Sequence, residues 1–498
     1  MTKLILILIV GLYSLSLFFI FCYSLVQAGL VINYLQSKRH KDIIPEQLNF
    51  DYLPLVTIQL PIYNELYVVE RLIDSIAQIK YPPEKLEIQV LDDSTDETVK
   101  TIKSTVEKWQ QQGINIKQIQ REQRTGFKAG ALGEGLNKAK GEFIAIFDAD
   151  FTPSPEFLMK TIPYFQDKQV GMVQTRWEHI NQHYSILTRL QAFGLDAHFS
   201  VEQVGRNYRQ HFINFNGTAG IWRKKTIEDA GGWQSDTLTE DLDLSYRAQL
   251  KGWKFKYLEN FGSPAELPPI MSALKSQQYR WTKGAAETAV KNLGLLLHAK
   301  LPFKTKIHGF FHLMNSILFI CIALSGILSV PFLFLKKDFP QYARLYNYAS
   351  FFLLSFFILA ILYWISSSSR YPGRPIKNLF SFIKDFILFL SMSMGLSLHN
   401  AIAVIEGYLG IKTPFIRTPK FNIEAAQHSW GENKYVLQNI SLMTVMEGVL
   451  SLYFLFGIIE GIMLKDYGLL PFHLMLAAGF GLVFYHSIFI NRHITKHT

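Results

Sequence analysis

Cysteine is nearly absent from this chain: two among 498 residues, Cys22 and Cys321, each inside an apolar run. That count excludes a disulfide framework and a multi-cysteine zinc site. Charge is scarce too, at 18% of residues, while apolar residues make up an ordinary 49%. There is no internal repeat and no low-complexity tract, which removes solenoid and tail-like architectures. The formal net charge is +10, yet the basic residues are not gathered into one stripe. The footprint of a nucleic-acid binder is therefore missing, and no nucleic acid is expected as a partner. The basic excess reads instead as a positive-inside bias and an attraction for anionic membrane lipids.

The apolar residues are unevenly placed. Residues 4–32 run without a single charge, and further apolar runs lie at 309–335, 349–366, 440–464 and 468–490. About 20 such residues span a bilayer as a helix. The N-terminal run is too long for the core of a signal peptide, so 1–33 is read as a transmembrane helix. The polar stretch behind it follows SKRHK and is expected in the cytoplasm, with the N-terminus outside. Residues 380–408 are apolar but hold Lys384, Asp385, His399, Asn400 and Glu406, and charges inside a bilayer are costly. If that segment lies at the interface, the basic loop 411–438 and the tail NRHITKHT both fall inside. Region 309–498 is thus expected to hold the C-terminal spans, an interfacial helix at 380–408 and a cytoplasmic loop at 411–438. That makes five spans in all, in a bacterial inner (plasma) membrane.

Between the membrane runs, residues 34–270 alternate strand-like and helix-like segments. VTIQLPIYNE, LEIQVLDDS, INIKQIQ and EFIAIFDAD (142–150) read as strands with amphipathic helices between them. EFIAIF is apolar on both faces, as in the middle of a covered parallel sheet. The pattern implies an α/β doubly wound domain, in which ligands gather beyond the carboxyl ends of strands. VGMVQTRW, FINFNGTAGIWR (212–223) and WKFKYL read as further strands, and 186–204 as a helix. Residues 271–308 read as amphipathic helices on the membrane surface.

Four clusters fall at such strand ends or near the membrane: VLDDSTDET (90–98), FDAD (147–150), LTEDLDL (238–244) and QQYRW (277–281). In FDAD, strand alternation would put Asp148 and Asp150 on one face. A carboxylate pair suits Mg2+ or Mn2+, which also bind phosphate oxygens and act as Lewis acids on a departing diphosphate. Asp92 and Asp93 can accept hydrogen bonds from a base or ribose, although Asp is also a common turn former. Lys128 lies near a helix start and can attract a diphosphate. Glu240 and Asp241 offer a general base, worth on the order of 10²–10⁴-fold, and Asp241 is the one assigned. Thr239 followed by acids equally makes a helix N-terminus. In QQYRW a planar guanidinium, Arg280, suits diphosphate and an indole, Trp281, suits the apolar face of a sugar; an interfacial role explains both as well.

The series PIYNE, LDDSTDET, FKAGAL, FDAD, QTRW, FNGTAGIWR, TEDLDLSYRAQLKGWKF and QQYRW resembles glycosyltransferase family 2 over about 55–300. Within it the chain is similar to the cellulose-synthase-like A and C groups and their bacterial relatives, associated with β-1,4-mannan, glucomannan and β-1,4-glucan. The resemblance implies an α/β GT-A fold inserted between transmembrane helices, an inverting mechanism and a divalent metal. It implies a nucleotide-sugar donor (UDP-glucose or GDP-mannose) and a growing glycan acceptor, with single transfer to a lipid acceptor as the alternative. Asp92 would contact the nucleotide, Asp148 and Asp150 the diphosphate and metal, and Asp241 would be the base. Gln277, Arg280 and Trp281 would lie at the acceptor end, with Asn216, Gly217 and Thr218 lining the acceptor site. In TPFIRTPK (413–420), Thr418 and Lys420 resemble a loop that closes over the donor. Regulation through an added cyclic-dinucleotide domain is not expected.

Overall fold

In a computed structural model of the chain, the strand–helix alternation of residues 56–265 closes into one seven-stranded sheet. The described residues are 2–40, 53–342, 353–367, 375–413, 418–423 and 441–494. The strands are β1 (Val56–Ile62), β2 (Leu86–Asp92), β3 (Ile116–Gln120), β4 (Phe143–Ile146), β5 (Val170–His179), β6 (Gly220–Arg223) and β7 (Lys254–Ala265). Their order is β3-β2-β1-β4-β6-β5-β7. The first four are parallel, β6 runs antiparallel between β4 and β5, and β7 pairs with β5 in parallel. The sheet is therefore mixed and doubly wound.

The central strands are buried on both faces because helices cover both. On one side Val56, Ile58 and Leu60 pack with Leu72, Ile73 and Ile76 of the helix Val69–Ala77. On the other, Leu91, Ile144 and Ile146 pack with Leu132 and Leu136 of the helix Phe127–Lys138, and with Trp222. Each such aliphatic side chain contributes about 1.5–3 kcal/mol when fully buried. β4 (FIAI) is accordingly a continuous apolar run, whereas β1 and β2 alternate, their buried Thr57 and Gln59 hydrogen-bonding to Glu87 and Gln89 across the pair.

Two expected strands are shorter than their sequence suggests. EFIAIFDAD is a strand only to Ile146; Asp148–Phe151 turns instead, with the Phe151 N–H bonded to the Asp148 carbonyl at 3.1 Å. Strand alternation is therefore not what brings the two aspartates together; the turn is. FINFNGTAGIWR forms a strand only over Gly220–Arg223. Gly217 (φ 79°) and Ala219 (φ 53°) take left-handed conformations that break the pleat before it.

Among the described residues, five helices are long and apolar enough to cross a membrane: Ile7–Ser37, Ile317–Asp338, Lys377–Gly395, Leu442–Met463 and Tyr467–Ile488. Of the run at 349–366, the described part is the 14-residue helix Leu353–Ser366. The segment 380–408 is not one helix but two, Pro375–Gly395 and Ser397–Tyr408. The first contains one of the five apolar helices. Its Asp385 is paired with Arg189 of the helix Ile186–Ala197 at 2.8 Å, so the charge that made the segment ambiguous by hydropathy is locally compensated. Most of the loop 411–438 lies outside the described residues. The helix Met271–His298 carries QQYRW and is followed by Phe303–Leu313. Val290, Leu295, Leu297 and Phe303 stand exposed there, an apolar face of the kind an interfacial helix presents.

Candidate active site

The carboxyl ends of β1, β2 and β4 open into a cleft of about 710 Å³ whose lining includes Tyr63, Asp93, Arg124, Asp148, Asp150 and Arg280. Asp92 ends β2 and points under the floor. Only 2% exposed, it accepts hydrogen bonds from Gln118 (2.8 Å), Gln120 (3.3 Å) and the Ser94 N–H (2.9 Å). Asp93 is the aspartate that lines the cleft, gripped bidentately by Arg121. Asp92, expected at the nucleotide, is thus absent from the cleft lining, where Asp93 stands instead: strand alternation sends neighbours to opposite sides, and the three bonds hold Asp92 in place. Arg124 stacks on the Tyr63 ring, 3.3 Å from its centroid, and burial lowers its pKa. This stacked pair offers a planar wall for a base.

At the end of β4 two lysines meet two aspartates. Lys128, second in its helix, donates to Asp148 Oδ1 at 2.6 Å and to the Gly217 carbonyl at 2.9 Å. Burial alone would lower its pKa, but Asp148 and then Glu240 outweigh it, so the ammonium is held charged. The Asp148 N–H is fixed by Thr218 Oγ1 at 2.9 Å. Asp150, 6% exposed, is paired with Lys420 at 2.5 Å. Glu240 and Asp241 open the helix Glu240–Leu250. Asp241 Oδ1 accepts the Leu242 N–H at 2.8 Å. Its Oδ2 lies against Gly217, where a Cβ would come within 3.0 Å of it. Burial, then the adjacent Glu240, pushes Asp241 up to about 7, and burial raises Glu240 as well. A carboxylate poised near neutrality can both take a proton and release it.

The base helix is fastened to the helix Met271–His298. Asp243, fully buried, receives Asn292 (2.9 Å), Lys291 (3.1 Å) and Arg247 (2.9 Å). The long helix in turn brings Gln277, Arg280 and Trp281 onto one face, because positions three and four apart are neighbours on a helix. Arg280 donates to Thr418 at 2.8 Å; burial lowers its pKa against the pull of Asp148 and Glu240. Trp281 lies 6.4 Å from Trp177, whose ring also meets Phe151 at 5.2 Å. An aromatic wall therefore runs from the Asp150 turn to QQYRW. Asn216 accepts from Asn214 (2.7 Å) and Gln203 (3.3 Å), while its buried Nδ2 has no hydrogen-bond partner among the described residues.

The structure thus places Asp93, Lys128, Asp148, Asp150 and Arg280 on one cleft and leaves Asp92 out of its lining; Glu240 lines an adjoining pocket that shares Lys128, and Gly217 and Asp241 adjoin that lysine. Sequence reasoning passed over Tyr63, Arg121, Arg124 and Glu266. The signal for the arginines was the pair in REQR following β3; nothing local marks Glu266.

This mixed sheet, with paired acids, lysines and a guanidinium at its carboxyl edge, has the GT-A fold. Residues 54–284 match the family model described as Glycosyltransferase like family 2. The chain is 40% identical over 296 residues to a probable glucomannan 4-beta-mannosyltransferase 4 of Oryza sativa subsp. japonica, covering 56% of this chain and 53% of that protein. It is 40% identical over 304 residues to glucomannan 4-beta-mannosyltransferase 1 of Cyamopsis tetragonoloba, covering 58% of each. The chain thus spans about half the length of the curated relatives it matches. Among solved structures, the mannosyltransferase PcManGT from Pyrobaculum calidifontis, in complex with GDP-Man and Mn2+, aligns with a TM-score of 0.51 at 18% identity, over 79% of this chain and all of that one. That likeness is one of fold.

Proposed function

We propose that the chain is a membrane-embedded, inverting, metal-dependent hexosyltransferase that extends a β-linked polysaccharide from a nucleotide sugar. GDP-mannose and a β-1,4-mannan or glucomannan are the donor and product we favour, supported by the names of the relatives at about 40% identity. The observation that carries the reading is the convergence at Gly217. There the Asp241 carboxylate and the Lys128 ammonium both lie against the glycine, and Lys128 leads directly to Asp148. In transfer with inversion the acceptor hydroxyl attacks the anomeric carbon and its proton passes to Asp241. The bond from that carbon to phosphate oxygen breaks, and its electron pair leaves with the nucleoside diphosphate. Lys128 and Arg280 stabilise that departing charge where it develops. Asp93, Arg124 and Tyr63 hold the base and ribose, and Trp281 offers a face to the acceptor sugar.

The cleft suits a divalent cation. Asp148 and Asp150 each already bind an ammonium, at 2.6 and 2.5 Å, and no cluster of three or more protein ligands forms among the described residues. Two carboxylates with phosphate oxygens and waters completing the shell are what Mg2+ or Mn2+ takes. When bound, such an ion supplies Lewis-acid stabilisation of the diphosphate. The proposed location is the plasma membrane of a bacterium, with the sheet domain on the cytosolic side and the apolar helices in the bilayer. Purified protein in lipid, given labelled GDP-mannose or UDP-glucose, should yield polymer. A single-sugar glycolipid as the sole product would refute chain extension.

A further inference from the structure

Residues 418–423 lie across the cleft as a strap, tied down by one buried carboxylate. Glu266, the residue after β7, accepts the backbone N–H groups of Phe421 (2.9 Å) and Ile423 (3.3 Å), one on each oxygen. It thereby does for the strap what a neighbouring strand's carbonyls would do. Phe421 and Ile423 are buried with Ile270 and Ala273. Arg71 closes the arrangement, donating to Asn422 Oδ1 at 2.7 Å and lying 3.6 Å from Glu266 Oε2. Glu266 is near Asp150 because Phe151 and Ala265 form a β-bridge. The strap docked this way sets Lys420 on Asp150 Oδ2 at 2.5 Å and Thr418 on Arg280 at 2.8 Å.

Asp150 Oδ2 would have to be shared by two cations. A divalent ion about 2.1 Å from that oxygen and an ammonium 2.5 Å from the same atom would be like charges about 4 Å apart, and their repulsion favours displacement of one by the other. We propose that Glu266 is a positioning residue: by docking the strap it keeps Lys420 on Asp150, so that cation entry and release of Lys420 are a single event. The inference rests on the reading of Asp150 as a metal ligand.

The test reads metal binding, not turnover. Metal-stripped, full-length protein in lipid nanodiscs is titrated with Mn2+, without donor, and free Mn2+ is followed by electron paramagnetic resonance. Lys420→Gln should tighten the Mn2+ Kd about tenfold or more, the worth of one charged hydrogen bond. Glu266→Ala should tighten it to a similar degree, and the double variant no further. Because Glu266→Ala empties a buried position, Glu266→Gln is the second variant; it keeps one acceptor oxygen and should shift the Kd less. Kd values within twofold of wild type in both Lys420→Gln and Glu266→Ala would overturn the proposal. So would tightening in Lys420→Gln alone, additive effects, or no Mn2+ binding by Lys420→Gln. Failure of the enzymatic reading has another signature: no sugar transfer by wild type from any donor, while the differences in Mn2+ affinity persist.

Discussion

Adding one methyl group at Gly217 should disable the base while leaving donor binding in place. Gly217 has φ 79°, and its Cβ would lie 3.0 Å from Asp241 Oδ2 and 3.4 Å from Lys128 Nζ. Two effects combine in Gly217→Ala. The left-handed backbone costs an alanine about 1 kcal/mol, and the Asp241 carboxylate must retreat by a few tenths of an ångström on the side it shows to the acceptor. Misplacement on this scale costs on the order of 10- to 100-fold in rate, since a shift of about 1 Å costs about 100-fold. Gly113 supplies the control: it has φ 85° and nothing within 4 Å of its added Cβ. Gly113→Ala carries the backbone strain without the collision and should keep wild-type turnover. Initial rates with labelled nucleotide sugar should show kcat reduced in Gly217→Ala and donor KM changed by less than about threefold, because the contact is with the base rather than the nucleotide. If Gly217→Ala is no slower than Gly113→Ala, or if only KM rises, Gly217 does not shape the base.

Transfer must use ionised Asp241, whose pKa is raised to about 7 by burial and then by Glu240. The rate should therefore climb through about pH 7 and fall about tenfold per unit below it. Removing the neighbouring negative charge in Glu240→Gln should move that midpoint to lower pH; an unmoved midpoint would dissociate the two carboxylates. Asp243→Ala strips a buried carboxylate from Asn292, Lys291 and Arg247 and should destabilise the domain by about 3 kcal/mol. The check is thermal unfolding in detergent, where an unchanged midpoint would contradict the fastening of the base helix. Chelation with EDTA should abolish transfer, and Mn2+ or Mg2+ should restore it; full activity in EDTA would exclude the metal reading.

The parallel half of the sheet was legible because its strands are short, rich in β-branched and aliphatic residues and end in acids, as in LEIQVLDD and FIAIFDAD. Two of the four site clusters, at the ends of β2 and β4, were legible for the same reason, since ligands gather beyond the carboxyl ends of such strands; the other two lie on helices. Other features were not. The antiparallel insertion of β6 depends on the left-handed residues at 217 and 219, and Ala219 carries no sequence signature for that conformation. Which of Asp92 and Asp93 faces the cleft was decided by Gln118 and Gln120 on the adjacent strand. The Lys420–Asp150 pair joins residues 270 positions apart, a separation that no local pattern encodes. The segment at 380–408 was ambiguous because its compensating charge, Arg189, lies on another helix, Ile186–Ala197.

The central claim is that Asp241 removes the acceptor's proton. Asp241→Asn is nearly isosteric and its side-chain oxygen can still accept the Leu242 N–H, so folding and donor binding should persist. In a single-turnover experiment with saturating nucleotide sugar and acceptor, the transfer step should slow by on the order of 10²–10⁴-fold with donor Kd unchanged. A transfer rate in Asp241→Asn within fivefold of wild type would contradict the account.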